Sequence, residues 1–220
     1  MDLWRQTGII DPSILGDAKV TLIGAGGIGS PTGINMGKMG IGTLLVYDGD
    51  KIEPHNMPNQ MYMLEDNGKN KAVALQENIG RYSDMTKVIP KSEMYDGQPL
   101  QGVVISAVDD MDVRKMIFTH VKQQKPVGYV EARMGAEFMR IYTLNPNEDC
   151  SWYDSQLYTN EEAMDLPCTA TAIMYNVFVM GGLISSQVKK ILTNGECHRE
   201  IIFDLVTMTL MCSDEMVQFS

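Results

Sequence analysis

Three glycines with the spacing G-x-G-x-x-G follow a short apolar run near the amino terminus. Gly24, Gly26 and Gly29 come directly after "KVTLI" and open a stretch with helical periodicity. Glycine permits a tight turn and lets backbone N–H groups approach a phosphate, while the following helix adds a favourable dipole. Asp48 ends the next predicted strand, where its carboxylate can accept hydrogen bonds from ribose hydroxyls. The pattern predicts a nucleotide-binding turn, although the glycines alone also suit a purely structural turn and do not distinguish NAD from ATP.

The residues after Asp48 favour a triphosphate over a dinucleotide. Residues 52–60, "IEPHNMPNQ", are polar and follow a strand end, where ligands of open sheets bind. A dehydrogenase has no evident need for the amides of Asn56 and Gln60, whereas a triphosphate site needs donors, a cation and a magnesium ligand. Lys71 stands at the start of a predicted helix, where its ammonium group can reach a phosphate.

Two adjacent carboxylates follow a later strand. Asp109 and Asp110 come just after "VVISAV", where they would repel the pyrophosphate of NAD but suit Mg²⁺ bound to ATP. Each feature has a structural alternative: a helix N-cap for the aspartate pair and a solvated surface charge for Lys71. Their joint placement after successive strands favours a binding site.

The elements that must position these residues alternate along the chain. Apolar, β-branched runs predict strands at residues 19–24, 43–48, 87–90, 102–108 and 126–132. Amphipathic stretches predict helices at residues 28–39, 69–82 and 112–123. Residues 137–144 and 199–210 alternate like antiparallel strands, and a polar loop (145–167) and a long helix (169–192) lie between them. We therefore predict an α/β, Rossmann-like, doubly wound and mainly parallel sheet. It has helices on both faces, antiparallel strands in the C-terminal part and a single domain over residues 1–220.

The composition of the chain limits the classes of partner that we expect it to bind. The 220 residues carry a formal net charge of −10, which argues against nucleic acid or an anionic membrane surface as a partner. There is neither a long apolar run nor a signal-like start, so we expect a cytoplasmic protein. The cysteines are scattered without a CxxC pair, which argues against a disulfide framework. They are Cys150, Cys168, Cys197 and Cys212.

Taken together, the motifs resemble a known family. "GAGGIGS", "YDGDKIEPHNMPNQ", "GKNKA" and "AVDDMDVR" are similar, in order and spacing, to the adenylation domain of the ThiF/MoeB/HesA family, which includes the ubiquitin-activating enzymes. The opening "WRQTGIIDPSILGDAKVTLIG" and the later "EARMGAEFMRIYTL" also resemble that family, so the similarity covers essentially the whole chain. It implies MgATP-dependent adenylation of the C-terminal glycine carboxylate of a ubiquitin-like or sulfur-carrier protein, by a homodimer.

The resemblance also implies a role for each matching residue. The nucleotide would be cradled by the glycine turn, formed by Gly24, Gly26, Gly27 and Gly29. Asp48 would hold the ribose, and Asn56, Gln60 and Lys71 would contact the base or the phosphates. Further nucleotide-binding candidates are Asp50, Asn59 and Asp110. Asp109 would coordinate Mg²⁺, and Arg5 would reach the phosphates of the partner subunit's site.

Two departures from the family pattern bear on activity and metals. Asn59 stands where the family usually has arginine, so a phosphate contact is missing or comes from another residue. The family often carries two CxxC zinc pairs, and only Cys150 stands near the first of them, so we predict no zinc.

Cys168 is a candidate nucleophile. It precedes Thr169 at the predicted start of the long helix, and a helix N-terminus lowers the pKa of a nearby thiol. "PCT" resembles the catalytic-cysteine segment of ubiquitin-activating relatives, which implies thioester formation. A buried, inert cysteine is the alternative.

Three hypotheses for the whole chain remain open at this point. The first is an enzyme that adenylates a ubiquitin-like partner. The second is a weak or inactive binding partner in a dimeric activating complex, which Asn59 would suit. The third is a nicotinamide oxidoreductase, supported only by the glycine spacing.

Overall fold

The computed structural model describes residues 1–159 and 172–219, which contain an eight-stranded sheet and a separate two-stranded sheet. The strands are β1 (Lys19–Ile23), β2 (Thr43–Tyr47), β3 (Lys87–Lys91), β4 (Val103–Ser106), β5 (Gly128–Gly135), β6 (Phe138–Leu144), β7 (Cys197–His198), β8 (Glu200–Asp204), β9 (Thr209–Cys212) and β10 (Met216–Val217). The large sheet has the order β3-β2-β1-β4-β5-β6-β8-β9, and β7 pairs with β10. Strands β1 to β5 are parallel, while β6, β8 and β9 run antiparallel to their neighbours.

Helices cover both faces of the large sheet. They are α1 (Pro12–Asp17), α2 (Gly29–Met39), α3 (Lys71–Tyr82), α4 (Met111–Gln124), α5 (Ser151–Asp154) and α6 (Met174–Leu192). Leu22 packs in the apolar cluster that contains α2, α3 and α6, whereas its neighbour Ile23 packs in the cluster with α4 and α5. Successive side chains of a strand point to opposite faces, so the two clusters are the two sides of one sheet. The predicted doubly wound α/β fold, with antiparallel strands in its C-terminal part, is confirmed.

The parallel register brings the predicted site residues to one edge of the sheet. Ile23, the last residue of β1, lies beside Tyr47 of β2 and Ser106 of β4. The chain leaves these three strands at the same edge, through the glycine turn, Asp48 and the loop that carries Asp109. Because the connections from β1 and β4 diverge, this is the point where open sheets bind ligands.

The prediction of one strand over residues 199–210 is wrong. Strand β8 ends at Asp204, and the chain reverses before β9 begins at Thr209. The Asp204 carboxylate makes the turn by accepting hydrogen bonds from the Val206 N–H and the Thr207 hydroxyl, at 2.9 Å each. Apolar alternation continues on both sides of the turn, so periodicity alone could not detect it.

Helix starts were also predicted imperfectly. Helix α3 begins two residues later than predicted, because the Asn70 side chain accepts the Val73 N–H as an N-cap. The long helix begins at Met174 rather than 169, after an extended Ile173; residues 169–171 lie outside the described residues. Within the described part of the predicted loop 145–167, the short helix α5 was missed. In the parts of the chain that the structure describes, no helix is long and apolar enough to span a membrane.

Candidate nucleotide-binding site

The glycine turn between β1 and α2 is tightly packed at its first and last glycines. Gly24 has a φ of +90°, and a Cβ on it would lie 2.6 Å from the Ala107 carbonyl oxygen. A Cβ on Gly29 would lie 1.9 Å from the Gly24 carbonyl oxygen. Around Gly26 there is space, since the nearest atom to its Cβ would be Gln60 Nε2 at 3.9 Å. Gly24 and Gly29 are thus required by packing, whereas Gly26 leaves its backbone open to a ligand.

Asp48 connects the glycine turn to the loop after β2. Its buried carboxylate accepts hydrogen bonds from the Ala25 N–H at 2.7 Å and the Asp50 N–H at 2.9 Å. Burial raises the pKa of Asp48 above its ordinary value of 3.8, although these two hydrogen bonds and the charge of Lys71 act in the opposite direction. Each carboxylate oxygen has a second lone pair, so Asp48 can still accept ribose hydroxyls.

Lys71 is the first residue of α3 and lies beside Asp48. Its Nζ forms an ion pair with Asp50 Oδ2 at 2.8 Å, and its backbone N–H donates to the Asp50 carbonyl at 2.9 Å. The Lys71 side chain is only 11% exposed, whereas that of Asp50 is 53% exposed. The side chain of Asn70, which caps α3, also donates to the Asp48 carbonyl at 2.8 Å. An ammonium held this way can exchange its carboxylate partner for a phosphate.

The loop after β2 brings two side-chain amides near the glycine turn, and the Gln60 amide lies closest to Gly26. The oxygens Asn59 Oδ1 and Gln60 Oε1 are buried and accept no hydrogen bond from the described residues. The Asn59 side chain donates to the Ala172 carbonyl at 3.4 Å, and it is the backbone carbonyl oxygen of Asn59 that would lie 3.4 Å from a Cβ on Gly27. A buried acceptor without a partner is costly. A nucleotide bound against the turn offers donors in its ribose hydroxyls and adenine amino group, and one of these would satisfy the Gln60 oxygen beside Gly26, so the site fits a nucleotide.

Asn56 is committed to its own turn. It ends the short 3₁₀ helix Pro54–Asn56, and its Oδ1 accepts the Glu53 N–H at 2.9 Å. The side chain is buried, so it shapes the loop that presents Gln60.

The two adjacent aspartates after β4 have different structural roles. Asp110 is the N-cap of α4 and accepts the N–H groups of Asp112 and Val113, at 2.8 and 2.9 Å. Asp109 lies in the preceding loop, and its side chain is exposed. In the described ranges, no group of three His, Cys, Asp or Glu side chains could hold a metal ion. Mg²⁺ on Asp109 would therefore take most of its ligands from phosphates and water, as it commonly does with nucleotides.

The structure does not bring Arg5 to this cluster. Arg5 is exposed, and its guanidinium lies over the Trp4 ring at 5.7 Å. The neighbouring Gln6 donates to the carbonyl of Lys38, near the end of α2 that is opposite the glycine turn. Cys168 lies outside the described residues.

Two residues that contact the site, Tyr62 and Ser30, are not identified by the sequence motifs. The buried Tyr62 hydroxyl lies 2.6 Å from the Ala25 carbonyl oxygen and 3.2 Å from that of Lys71. Ser30 Oγ donates to the Gly26 carbonyl at 2.8 Å and accepts the Met61 N–H at 2.9 Å. The only sequence signal for these roles is position, since Ser30 follows the last glycine of the motif and Tyr62 follows the polar loop.

Two cavities of the protein lie away from the candidate site. Their volumes are about 300 and 330 Å³, and one lies beside Lys125 and Phe219 and the other beside Trp152 and Arg199. Neither is lined by a residue of the glycine turn or by Lys71. We place the candidate site by its chemistry, because a phosphate cradle needs backbone donors and charge more than enclosure.

Similar folds occur among solved structures. The chain superposes on the crystal structure of PaaA with a TM-score of 0.75 and 20% identity, covering 94% of this chain and 66% of that one. It superposes on E. coli MccB solved with ATP with a TM-score of 0.76 and 16% identity, covering 92% of this chain and 65% of that one. At these identities the likeness shows the fold.

Curated relatives match part of the chain. Ubiquitin-like modifier-activating enzyme 5 of Drosophila virilis is 27% identical over 136 residues, which cover 53% of this chain and 34% of the relative. Adenylyltransferase and sulfurtransferase MOCS3 of Dictyostelium discoideum is 28% identical over 117 residues, covering 50% and 28%. The matches thus span about one third or less of these relatives.

A family model matches nearly the whole chain. The family model described as the ThiF family matches residues 11–216. That range includes the glycine turn, Asp48, Lys71 and Asp109, and it extends through the antiparallel strands. The chain belongs to the ThiF family.

Proposed function

We propose that this protein binds MgATP at the glycine turn and adenylates the C-terminal glycine carboxylate of a small ubiquitin-like or sulfur-carrier protein. The observation that carries the proposal is the convergence at one sheet edge of an open Gly26 backbone, the Asp48 carboxylate and the Lys71 ammonium. The side-chain oxygen of Gln60, which lies near Gly26, is buried and accepts no hydrogen bond from the described residues. Relatives named as a ubiquitin-like modifier-activating enzyme and an adenylyltransferase support the reaction class.

The proposed reaction needs alignment and charge neutralisation rather than proton transfer. A carboxylate of the carrier attacks the α-phosphorus of ATP, the bond to the bridging oxygen breaks, and pyrophosphate leaves. The attacking group is already an anion, so no general base is required. Asp48 fixes the ribose, and Lys71 neutralises phosphate charge. Mg²⁺, held through Asp109, would supply further positive charge at the phosphates.

The test is ATP–pyrophosphate exchange with a candidate carrier. Asp109→Ala should abolish exchange and leave the fold intact, because losing a magnesium carboxylate typically costs several kcal/mol of transition-state stabilisation. Asp214→Ala is the control, since it removes an exposed carboxylate of the C-terminal part. Exchange by Asp109→Ala at a near wild-type rate would show that the assignment of Asp109 is wrong.

Asn59 favours a second candidate, a binding partner with little or no turnover. It lacks the guanidinium that the family usually places next to Gln60. Calorimetric titration that detects MgATP binding, together with no exchange for any carrier, would support this candidate. Binding of NAD instead of MgATP would support the hypothesis of a nicotinamide oxidoreductase.

We also propose that the protein acts as a homodimer in which Arg5 serves the partner's site. Helix α2 has 11 residues and spans about 16 Å, so Arg5 lies far from the glycine turn of its own chain. The neighbouring Trp4 and Ile9 side chains are 65% and 73% exposed, which gives an apolar surface for a second subunit. Mixing Arg5→Ala and Lys71→Ala subunits should restore one intact site per heterodimer. No recovery of exchange would contradict a role in trans.

Cys168 is proposed to continue the reaction in the same protein. Its thiolate would attack the acyl carbon of the adenylate, form a thioester and release AMP. On a gel run without thiol, carrier and MgATP should give a thiol-sensitive adduct with the wild type but not with Cys168→Ala. Without such a Cys168-dependent band, the chemistry would end at the adenylate.

A further inference from the structure

A buried cluster of charged side chains lies directly behind the loop that carries Asp109. The Glu131 carboxylate is fully buried between the guanidinium groups of Arg114 and Arg133, which are themselves 5% and 6% exposed. Arg133 Nε donates to both carboxylate oxygens at 3.0 and 2.9 Å, and the Tyr153 hydroxyl donates to one of them at 2.8 Å. Burying such charges is expensive unless every one is closely paired.

Arg114 connects this cluster to the loop after β4. Its guanidinium contacts Glu131 and donates to the Val108 carbonyl, and it also donates to the Ala132 carbonyl at 3.1 Å. Val108 immediately precedes Asp109. On the other side of the loop, Asp110 is fixed as the cap of α4. The backbone of Asp109 is therefore held at both ends, while its side chain stays exposed.

Glu131 is what keeps Arg114 in this position. The three cluster side chains bring two positive charges and one negative charge into a buried space, and burial together with the nearby Arg133 lowers the pKa of Arg114. Removing the carboxylate would leave two guanidinium groups facing each other in a low-dielectric environment. Arg114 would then release the Val108 carbonyl in moving towards solvent.

Arg133 extends the cluster towards the segment after α5. Its Nη1 donates to the Gln156 carbonyl at 2.8 Å, and its guanidinium lies over the rings of Tyr142 and Tyr158 at 5.0 and 5.3 Å. The position of Arg133 is thus fixed from β6 and from the segment after α5. Arg133 is therefore anchored independently of the nucleotide-binding loops, and Arg114 alone joins the cluster to the Asp109 loop.

We propose that Arg114, oriented by Glu131 and Arg133, is a positioning residue that holds the Asp109 loop in the geometry required for Mg²⁺ bound to ATP. This inference rests on the function proposed above. It assigns the cluster a role in metal binding, whereas the alternative is a cluster that only stabilises the fold. A positioning role changes the Mg²⁺ requirement through Asp109, whereas a purely structural role changes only the stability of the fold.

The test compares Arg114→Lys and Glu131→Gln with Glu200→Gln. Glu200 pairs with Arg140 at 3.3 Å in the same sheet, so its variant removes an Arg–Glu pair that does not hold Val108. In protein without nucleotide, deuterium exchange of residues 107–111 should rise in the cluster variants on the order of tenfold, the usual effect of one charge-assisted hydrogen bond. The Mg²⁺ concentration that half-saturates binding of a non-hydrolysable ATP analogue should rise by a similar factor. Glu200→Gln should change neither quantity.

A double variant separates positioning from stability. Asp109→Asn should raise the Mg²⁺ requirement by itself, and adding Arg114→Lys should raise it no further, because Arg114 acts through Asp109. Additive effects, or an unchanged Mg²⁺ requirement in folded Arg114→Lys protein, would overturn the proposal. If the charge variants fail to fold, Tyr153→Phe removes one hydrogen bond to Glu131, and it should cause the same changes at roughly threefold. No change in Tyr153→Phe would also overturn it.

The outcome for the proposed function can be read separately. A wild-type protein that does not bind the analogue with Mg²⁺ would contradict the proposed function. A wild-type protein that binds it, with variants that show unchanged deuterium exchange and an unchanged Mg²⁺ requirement, would overturn the positioning role alone.

Discussion

Of the glycines in the turn, Gly29 is the most tightly packed and Gly26 the least. Replacing each by alanine should therefore have different effects. A Cβ on Gly29 would lie 1.9 Å from the Gly24 carbonyl oxygen, where about 3.0 Å is the closest distance that real Cβ atoms keep. The backbone would have to move by about 1 Å. It has little freedom to do so, because the Gly24 N–H donates to the Tyr47 carbonyl at 2.9 Å and Gly24 itself packs on Ala107.

Overpacking of a rigid site costs about 1–3 kcal/mol and occasionally more, and a backbone atom is the least adaptable neighbour. We therefore expect Gly29→Ala to lower the free energy of unfolding by about 3 kcal/mol. In a protein of this size that corresponds to a Tm lower by roughly 6–12 °C. Thermal and denaturant unfolding, followed by circular dichroism, measure the effect.

Gly26→Ala is the matched control for Gly29→Ala. The nearest atom to its Cβ is 3.9 Å away, so stability should change by less than about 0.5 kcal/mol. The methyl group would nevertheless occupy the space through which phosphates approach the backbone, and MgATP affinity measured by calorimetry should fall about tenfold or more. A Gly29→Ala protein as stable as the wild type would refute the packing argument. A Gly26→Ala protein with wild-type MgATP affinity would refute the position of the phosphates.

Two further predictions concern buried groups around the same turn. Tyr62→Phe removes the hydroxyl that donates to the Ala25 carbonyl. We expect the free energy of unfolding to fall by about 1–2 kcal/mol, measured by denaturation, and the MgATP affinity to fall several-fold, measured by calorimetry. Wild-type values for both quantities would contradict the role of the hydroxyl. Burial raises the pKa of Asp48 above 3.8, so MgATP affinity should fall as the pH drops through that raised pKa, because a protonated carboxyl is a weaker acceptor for ribose hydroxyls. Asp48→Asn should bind MgATP weakly at neutral pH and lose this pH-dependent component; identical pH profiles for the two proteins would argue against Asp48 as the titrating group.

The sequence was sufficient to predict the architecture because its strands are strongly patterned. The parallel strands are apolar and β-branched, as buried strands must be, and Gly40 and Asp110 mark helix ends. What it could not predict were features set by single side chains. The hairpin between β8 and β9 depends on the Asp204 carboxylate, and the start of α3 depends on the Asn70 cap.

The site was predictable to the extent that its residues act locally. Gly24, Gly29 and Asp48 follow strand ends, and their spacing alone indicates a nucleotide turn. Tyr62 was not predicted, because its hydroxyl acts on a backbone carbonyl brought close only by the fold. Arg114 ends the motif "AVDDMDVR", but the motif does not show that its guanidinium donates to the Val108 carbonyl. The Tyr62 hydroxyl meets Ala25 from 37 positions along the chain. No period or motif encodes such a contact.

The charges at the sheet edge explain why the metal and a second subunit belong in the proposal. Among the described side chains at the candidate site, four are carboxylates and one is an ammonium, namely Asp48, Asp50, Asp109, Asp110 and Lys71. Such a set repels a free triphosphate, and Lys71 is already paired with Asp50. Mg²⁺ reverses the effect of the carboxylates by making them ligands, so we expect MgATP to bind far more tightly than free ATP. The remaining phosphate charge still needs a cation. With Asn59 in place of the family's arginine, a guanidinium from Arg5 of a second subunit would meet this need in the homodimer that we propose.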